Sequence, residues 1–401
     1  MHLPIEITRG VFWVGVNDRE SDLFEAMWPL PKGISYNAYL ITGTKTALID
    51  TVKKTHFVEH LDKITRILGP DRSIDYLVIN HIEPDHSGSL EALTRLFPHM
   101  KIIGNKRTLD LLDAFYGTGR NAMAVNDRDT LDLGERTLSF HITPMVHWPE
   151  TMMTYDPLSA TLFSGDAFGA FGTVDGALFD NETGQGVYED EILRYYSNII
   201  GKFSPMVTKA IEKVGGLTIG TLATAHGLVW RDNPGYVVGL YDRWSRHEAE
   251  KGVVLAYASM YGNTLKMAEE TARGLAEAGL KDIVMHDVSH SHPSYVIRDA
   301  WRYQGIILGS CTYEMSLFPP MRHLTDLLVE KALKKRLLGI FGTYGWTGGA
   351  VKGLREFAQK IAWEIIEPVI EVKCSARSDE LDQCRLIGNT MASRILSRQS
   401  V

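Results

Sequence analysis

Leu77-Val78-Ile79-Asn80-His81-Ile82-Glu83-Pro84-Asp85-His86 decides how the first half of this chain is read. It opens as a short apolar run of the buried-strand kind. It ends with four potential metal ligands, His81, Glu83, Asp85 and His86, inside six residues where strand gives way to loop. A sheet end is a rigid base for such a cluster. Pro84 stiffens the loop, and a helix expected after Ser87-Gly88-Ser89 anchors its far side. Three further ligand-type side chains follow apolar runs in the same manner: His147 after Leu138–Thr143, Asp166 after Thr161–Ser164 and His226 after Ile219–Thr224. The set holds four histidines and three carboxylates. That is enough for two metal ions sharing a bridging aspartate.

Around this cluster the first 250 residues read as short strands, hairpins and a few helices. Tyr36–Ile41 and Thr46–Ile49 flank the turn-forming Thr42-Gly43-Thr44. Helical stretches are expected at Phe57–Leu68 and Leu90–Phe97, and strands near Leu77–Asn80, Thr151–Tyr155 and Thr161–Ser164. This mixture predicts a layered α/β or α+β sandwich. Other histidines carry less. His56 and His60, four apart on one helix face without companion ligands, are expected to be a solvated surface pair. His286, His290 and His292 read as strand-end and loop residues before Pro293, and His141 as structural. Trp148 either shapes a small pocket beside His147 or packs in the core.

A charged, apolar-poor segment, Arg243–Gly252, marks a boundary near residue 250. The expected division is 1–250 and 251–401. Beyond it, apolar runs Val253–Ala258, Asp282–Val288, Gly305–Ser310, Leu337–Thr343 and Ile365–Val372 alternate with helical patterns. Those patterns cover Thr264–Ala278, Met321–Lys334, Gly349–Ile361 and Glu380–Ser397. The alternation predicts a doubly wound, five-stranded parallel sheet of order 2-1-3-4-5, with its ligand site beyond the carboxyl ends of strands one and three. The first strand runs into Ser259-Met260-Tyr261-Gly262-Asn263-Thr264 and a helix. Hydroxyls and backbone N–H groups there suit one phosphate. Neither G-x-G-x-x-G nor G-x-x-x-x-G-K-[ST] is present, which argues against a dinucleotide fingerprint and a P-loop. Ser310-Cys311-Thr312-Tyr313 follows strand three, and Thr343-Tyr344-Gly345-Trp346-Thr347-Gly348 follows strand four. Small residues there let backbone approach a ring edge while Tyr313 or Trp346 covers its face. Cys311 reads as a small buried filler rather than a redox thiol.

Composition bounds the class. Lys+Arg 42 against Asp+Glu 49 gives a net charge of −7, which excludes a generally basic nucleic-acid binder. Three cysteines cannot build a disulfide framework. No membrane span or secretory signal is expected, so the reading is cytoplasmic.

The H-x-E-x-D-H segment resembles the metallo-β-lactamase fold, an αββα sandwich whose zinc hydrolases carry H-x-H-x-D-H. Glu83 takes the place of the second histidine. An anionic oxygen in place of a neutral nitrogen favours a harder ion such as ferric iron. The Ser259–Thr264 loop resembles that of flavodoxins, usually S/T-x-T-G-x-T, with Tyr261 departing from the pattern. A lactamase-like domain followed by a flavodoxin-like domain resembles the flavodiiron proteins over essentially the whole chain. The resemblance implies two irons and one FMN. His81, Glu83 and His147 would hold one iron, Asp85, His86 and His226 the other, with Asp166 bridging. In some members the residue at the His86 position is not bound. The FMN would contact Ser259–Thr264, Ser310–Tyr313 and Thr343–Gly348.

The implied activity is reduction of dioxygen to water, nitric oxide to nitrous oxide, or both. No rubredoxin-like C-x-x-C module is found in the sequence, so the implied electron donor is separate, rubredoxin or a reduced deazaflavin coenzyme. A head-to-tail homodimer, or a dimer of dimers, is implied as well. Two alternatives compete: a metal-dependent hydrolase fused to a flavodoxin-like module, and a non-catalytic flavin carrier or gas sensor.

Overall fold

The computed structural model describes residues 2–70, 72–117, 121–184 and 186–398. These form two compact units, residues 1–196 with 203–242, and residues 197–202 with 243–401.

The first unit holds two mixed sheets. One has seven strands in the order Ile5–Thr8, Val11–Trp13, Tyr39–Ile41, Ala47–Ile49, Tyr76–Val78, Lys101–Asn105, Ala122–Val125. The other has six, in the order Thr130–Asp132, Thr137–Ile142, Met152–Asp156, Thr161–Gly165, Thr221–Thr224, Val229–Trp230. Inner strands such as Ala47–Ile49 and Thr161–Gly165 are buried at every position, as strands covered on both faces must be. The Phe57–Leu68 helix is amphipathic, and its inward stripe is His60, Lys63, Ile64 and Leu68. The expected Tyr36–Ile41 strand is two strands, because Ile34–Tyr36 pairs with Val16–Asp18 and not with the hairpin. Buried Asn37, between them, accepts from Trp13 Nε1 and donates to the carbonyls of Thr224 and Gly227.

Asn80 stitches the two sheets together at the metal-ligand edge. Its carbonyl accepts from Met152 N at 3.0 Å. Its side chain accepts from Thr154 Oγ1 at 2.7 Å and donates to the Phe163 carbonyl at 3.3 Å. The residue before His81 therefore fixes the distance between the layers that carry the ligands.

The second unit is a parallel sheet in the order Ile283–Asp287, Glu250–Ala258, Tyr303–Tyr313, Leu337–Tyr344, then a broken fifth strand. This is the 2-1-3-4-5 order. The sequence pattern predicts an unbroken fifth strand over Ile365–Val372. It splits instead into Glu364–Ile365 and Ile370–Lys373, with Pro368 in the gap, where a missing N–H cannot serve the ladder. A helix absent from the sequence reading, Pro293–Arg302, joins strands two and three. Its start signal is present, since His292 caps it by accepting from Ser294 N and Pro293 takes the first turn. Helices Asn263–Glu277 and Ser378–Ser397 cross closely over one face of the sheet. The crossing needs glycine: a Cβ on Gly274 would lie 2.2 Å from the Arg385 carbonyl oxygen, and one on Gly388 2.2 Å from that of Thr271. No helix among the described residues is long and apolar enough to cross a membrane.

Candidate metal centre and flavin cavity

All seven expected ligands gather at one edge of the two sheets, each just past a strand or in the short turn that follows. His81 lies three residues beyond Tyr76–Val78, and Glu83 immediately precedes the short helix Pro84–Ser87 that carries Asp85 and His86. His147 sits in the turn after Thr137–Ile142, Asp166 directly after Thr161–Gly165 and His226 two residues after Thr221–Thr224. One donor atom from each of His81, Glu83, His147 and Asp166 lies within 4.8 Å of the others, and Asp85, His86 and His226 form a second such group.

Asp166 stands between the groups with one oxygen toward each. Its Oδ2 is 3.4 Å from His81 Nε2 and 3.1 Å from His147 Nε2. Its Oδ1 is 2.9 Å from His86 Nε2 and 3.3 Å from His226 Nε2. Glu83 Oε2 is 3.1 Å from both His81 Nε2 and His147 Nε2, and Asp85 Oδ2 is 3.3 and 3.5 Å from His86 and His226. Yet Nε2 of His86, His147 and His226 and both oxygens of Asp85 and Asp166 are buried with no hydrogen-bond partner among the described residues. Donors bound to one ion at about 2.1 Å and at right angles stand about 3.0 Å apart. Apart from the His81 Nε2–Glu83 Oε2 hydrogen bond, this close spacing without hydrogen-bond geometry matches lone pairs converging on a cation, and the residues fit a two-metal site.

The electrostatics agree. Burial alone would push the His81 and His147 imidazoles down, but the neighbouring carboxylates, Asp166 and Glu83 among them, carry both up to about 10. His86 rises to about 9, with Asp85 and Asp166 outweighing burial. Such concentrated negative charge in a buried site calls for a cation.

Residues the sequence reading passed over hold the ligands in place. Glu150, fully buried, sets Oε1 2.6 Å from His81 Nδ1 and accepts from Ile82 N at 3.2 Å. Asp50 Oδ1 accepts from Asn80 N at 2.8 Å, and burial raises its carboxyl to about 6. His226 Nδ1 meets the Ser35 carbonyl at 2.7 Å. Aromatic rings wall the site: Phe24 and Tyr195 stand 5.7 and 5.5 Å from His226, and Trp148 stands 5.2 Å from His81. A carboxylate three residues beyond His147 was a readable signal for Glu150; nothing local marks Tyr195.

His56 and His60 are not a solvated pair. His60 is fully buried with Nδ1 2.8 Å from the Val14 carbonyl, and His56 Nε2 meets buried Asp18 at 3.2 Å. The helix turns that face inward, against the strand that Val14 leaves.

In the second unit, a cavity of about 470 Å³ opens at the carboxyl ends of strands one, three and four. Ser259, Met260, Tyr261, Asn263 and Thr264 line one side, Cys311, Thr312 and Tyr313 another, and Thr343, Tyr344, Gly345, Trp346 and Thr347 a third. Glu314, Met315 and Cys374 complete it. Gly262, Ser310 and Gly348 are not in the lining. Gly262 is the left-handed cap of the first helix, with N bonded to Ser259 Oγ. Ser310 Oγ turns to the Cys311 carbonyl, and Gly348 packs on Glu371. The Thr264 and Thr343 hydroxyls meet at 2.9 Å and tie the first loop to the third. Backbone N–H groups at the start of the fifteen-residue helix Asn263–Glu277, with Ser259 and Thr264 hydroxyls beside them, suit a phosphate. Cys311 is buried and burial raises its thiol pKa, so it stays a thiol.

The architecture and both sites have counterparts. The profile of the ODP family beta lactamases matches residues 34–227, and the flavodoxin profile matches residues 255–388. A nitric oxide reductase of Moorella thermoacetica is 35% identical, with 98% of this chain and 100% of that one covered. The solved rubredoxin oxygen:oxidoreductase of Desulfovibrio gigas superposes with a TM-score of 0.94 at 28% identity, covering 98% of this chain and 99% of that one. The flavodiiron protein of Giardia intestinalis does so with 0.94 at 28%, covering 98% and 97%. The fold and site define an oxidoreductase that joins a lactamase-like metal domain to a flavodoxin domain. The chain belongs to the flavodiiron protein family.

Proposed function

We propose that the chain, a flavodiiron oxidoreductase, reduces dioxygen to water, nitric oxide to nitrous oxide, or both, at a di-iron site fed by FMN. The observation that carries this is the pair of donor groups sharing Asp166, with Glu83 where a hydrolase has histidine. Residues 1–250 are assigned to the iron domain and 251–401 to the FMN domain. One iron is assigned to His81, Glu83 and His147, the other to Asp85, His86 and His226, and Asp166 to both. FMN is assigned to the Ser259–Thr264, Ser310–Tyr313 and Thr343–Gly348 loops. Iron and FMN together supply four electrons, enough for one dioxygen or for two pairs of nitric oxide.

The chain's own residues set the conditions. Phe24, Tyr195 and Trp148 exclude water and favour a small apolar gas over a charged substrate. Tyr195 keeps its proton, since burial and then the Asp166 charge push its pKa well above the ordinary phenol. Its hydroxyl is buried with no hydrogen-bond partner among the described residues, so it can offer a hydrogen bond without giving up its proton.

The donor is assigned as rubredoxin or a reduced deazaflavin coenzyme, and the assembly as a head-to-tail homodimer, or a dimer of dimers, pairing one subunit's FMN with the other's iron. The apolar rim of the cavity supports such a contact: Tyr261 is 89% and Trp346 84% exposed. A cytoplasmic location is supported by three free cysteines, one of them exposed.

The test is metal and flavin analysis of the purified protein, followed by anaerobic assays of oxygen and nitric oxide consumption with reduced rubredoxin. About two irons, one FMN and gas consumption are expected. Zinc after expression with ample iron, together with ester or lactam turnover, would return the hydrolase reading.

A further inference from the structure

The two halves of the metal cluster have the same count of histidines and carboxylates around Asp166, yet their backing differs. Behind His81 stands Glu150, fully buried, with Oε1 at 2.6 Å from Nδ1. A carboxylate can only accept there, so Nδ1 carries a proton, and Nε2, 3.1 Å from Glu83 Oε2, is the nitrogen that would face a metal. The Ile82 N–H donates to Glu150 Oε1 at 3.2 Å, and the Asn105 side chain fixes the Glu150 backbone by donating to its carbonyl at 2.5 Å. Behind His226 the acceptor is a neutral carbonyl, that of Ser35, at 2.7 Å. Behind His86 there is none: its Nδ1 is buried without a partner among the described residues.

We infer that the two iron positions are inequivalent and that Glu150 makes them so. The iron held by His81, Glu83 and His147 binds more tightly, and becomes ferric more readily, than the one held by Asp85, His86 and His226. Glu150 is a positioning residue that acts through His81. A carboxylate pulling on Nδ1–H gives the imidazole imidazolate character, which strengthens it as a donor and favours the higher-charged ion. A carbonyl pulls less, and an unpaired Nδ1 not at all. The inference rests on the di-iron reading proposed above.

The experiment uses the full-length protein reconstituted with two irons and one FMN, compared with Glu150→Gln and Glu150→Ala. Ferrous iron release to a chelator is followed anaerobically, and partial oxidation is followed by electron paramagnetic resonance. Wild type should release iron in two phases of equal size. It should also build up a one-ferric, one-ferrous form above the roughly half-maximal level that two identical independent sites allow. Glu150→Gln keeps an acceptor for Nδ1–H and removes the charge, so it should speed the slow phase about ten-fold and shrink the mixed-valent form. Glu150→Ala should speed it further, while the fast phase stays unchanged in both.

A single release phase in wild type overturns the inference, as does a slow phase untouched by Glu150→Gln or an effect confined to the fast phase. If neither variant folds, the wild-type release and redox titration still decide whether the positions differ. A wild-type protein that never takes up two irons fails the di-iron reading instead, which is a separate outcome.

Discussion

The metal cluster is made of side chains, whereas the flavin cavity is made largely of backbone and rim. Seven ionisable groups are forced together in the first unit, most of them buried, and some are held by neighbours, Glu150 behind His81 and the Ser35 carbonyl behind His226. In the second unit the cavity depends on three loops of small and hydroxyl residues, joined by a Thr264–Thr343 contact and framed by exposed aromatics. Buried charge tolerates no misplacement and demands a supporting shell, while a phosphate can be met by peptide N–H groups that any sequence supplies.

This contrast can be broken first at Asp166. Asp166→Ala should drop iron from about two to below one per chain and gas consumption by about a thousand-fold, with FMN content unchanged. Loss of FMN alongside iron would show that the two sites are not built independently. The converse variant is Gly349→Ala, where a new Cβ would sit 2.2 Å from the Met315 carbonyl oxygen. Displacing that loop should weaken FMN binding by roughly a hundred-fold in a fluorescence titration and leave iron content at wild type.

Acid stability sharpens the same contrast, because it reads the first unit's buried imidazole. Burial first, and then the charge of Lys63, hold His60 down at about 4 against an ordinary 6.5, despite its bond to Val14. The folded protein then binds fewer protons than the unfolded chain between those values. Stability is intact above pH 6.5 and falls as the pH drops toward 4, by about 3 kcal/mol in all. His60→Asn, which keeps a donor to the Val14 carbonyl, should flatten that slope in denaturant titrations of the metal-free protein. An unchanged slope would mean that His60 is not the group titrating. The smallest effect belongs to Thr264→Val, which removes the buried contact with Thr343 and one hydroxyl near the phosphate position. About 1 kcal/mol, or a five- to ten-fold rise in the FMN dissociation constant, is expected.

Much of both units was legible before any coordinates. The His81–His86 run, the strand-end placement of His147, Asp166 and His226, and the 2-1-3-4-5 sheet follow from local pattern, because strands announce themselves by apolar runs and ligands by residue type. The Pro293–Arg302 helix hid behind a polar loop although His292 and Pro293 marked its start. The run Ile365–Val372 reads as one apolar strand, but Pro368 within it has no N–H for the ladder and breaks it.

What the sequence determined by itself was the inventory: which groups can bind metal, which strand each follows, and that two domains of different architecture succeed one another. What only the tertiary structure decided was partnership. Whether His60 faces water or Val14, whether Asp166 presents one oxygen to each group, and whether a carboxylate or a carbonyl stands behind a histidine all depend on residues far apart in the chain. Glu150 and His81 are 69 positions apart, and His226 and Ser35 are 191. A local pattern carries no information about such meetings, since they are set by how two sheets pack, and that packing is a property of the whole fold.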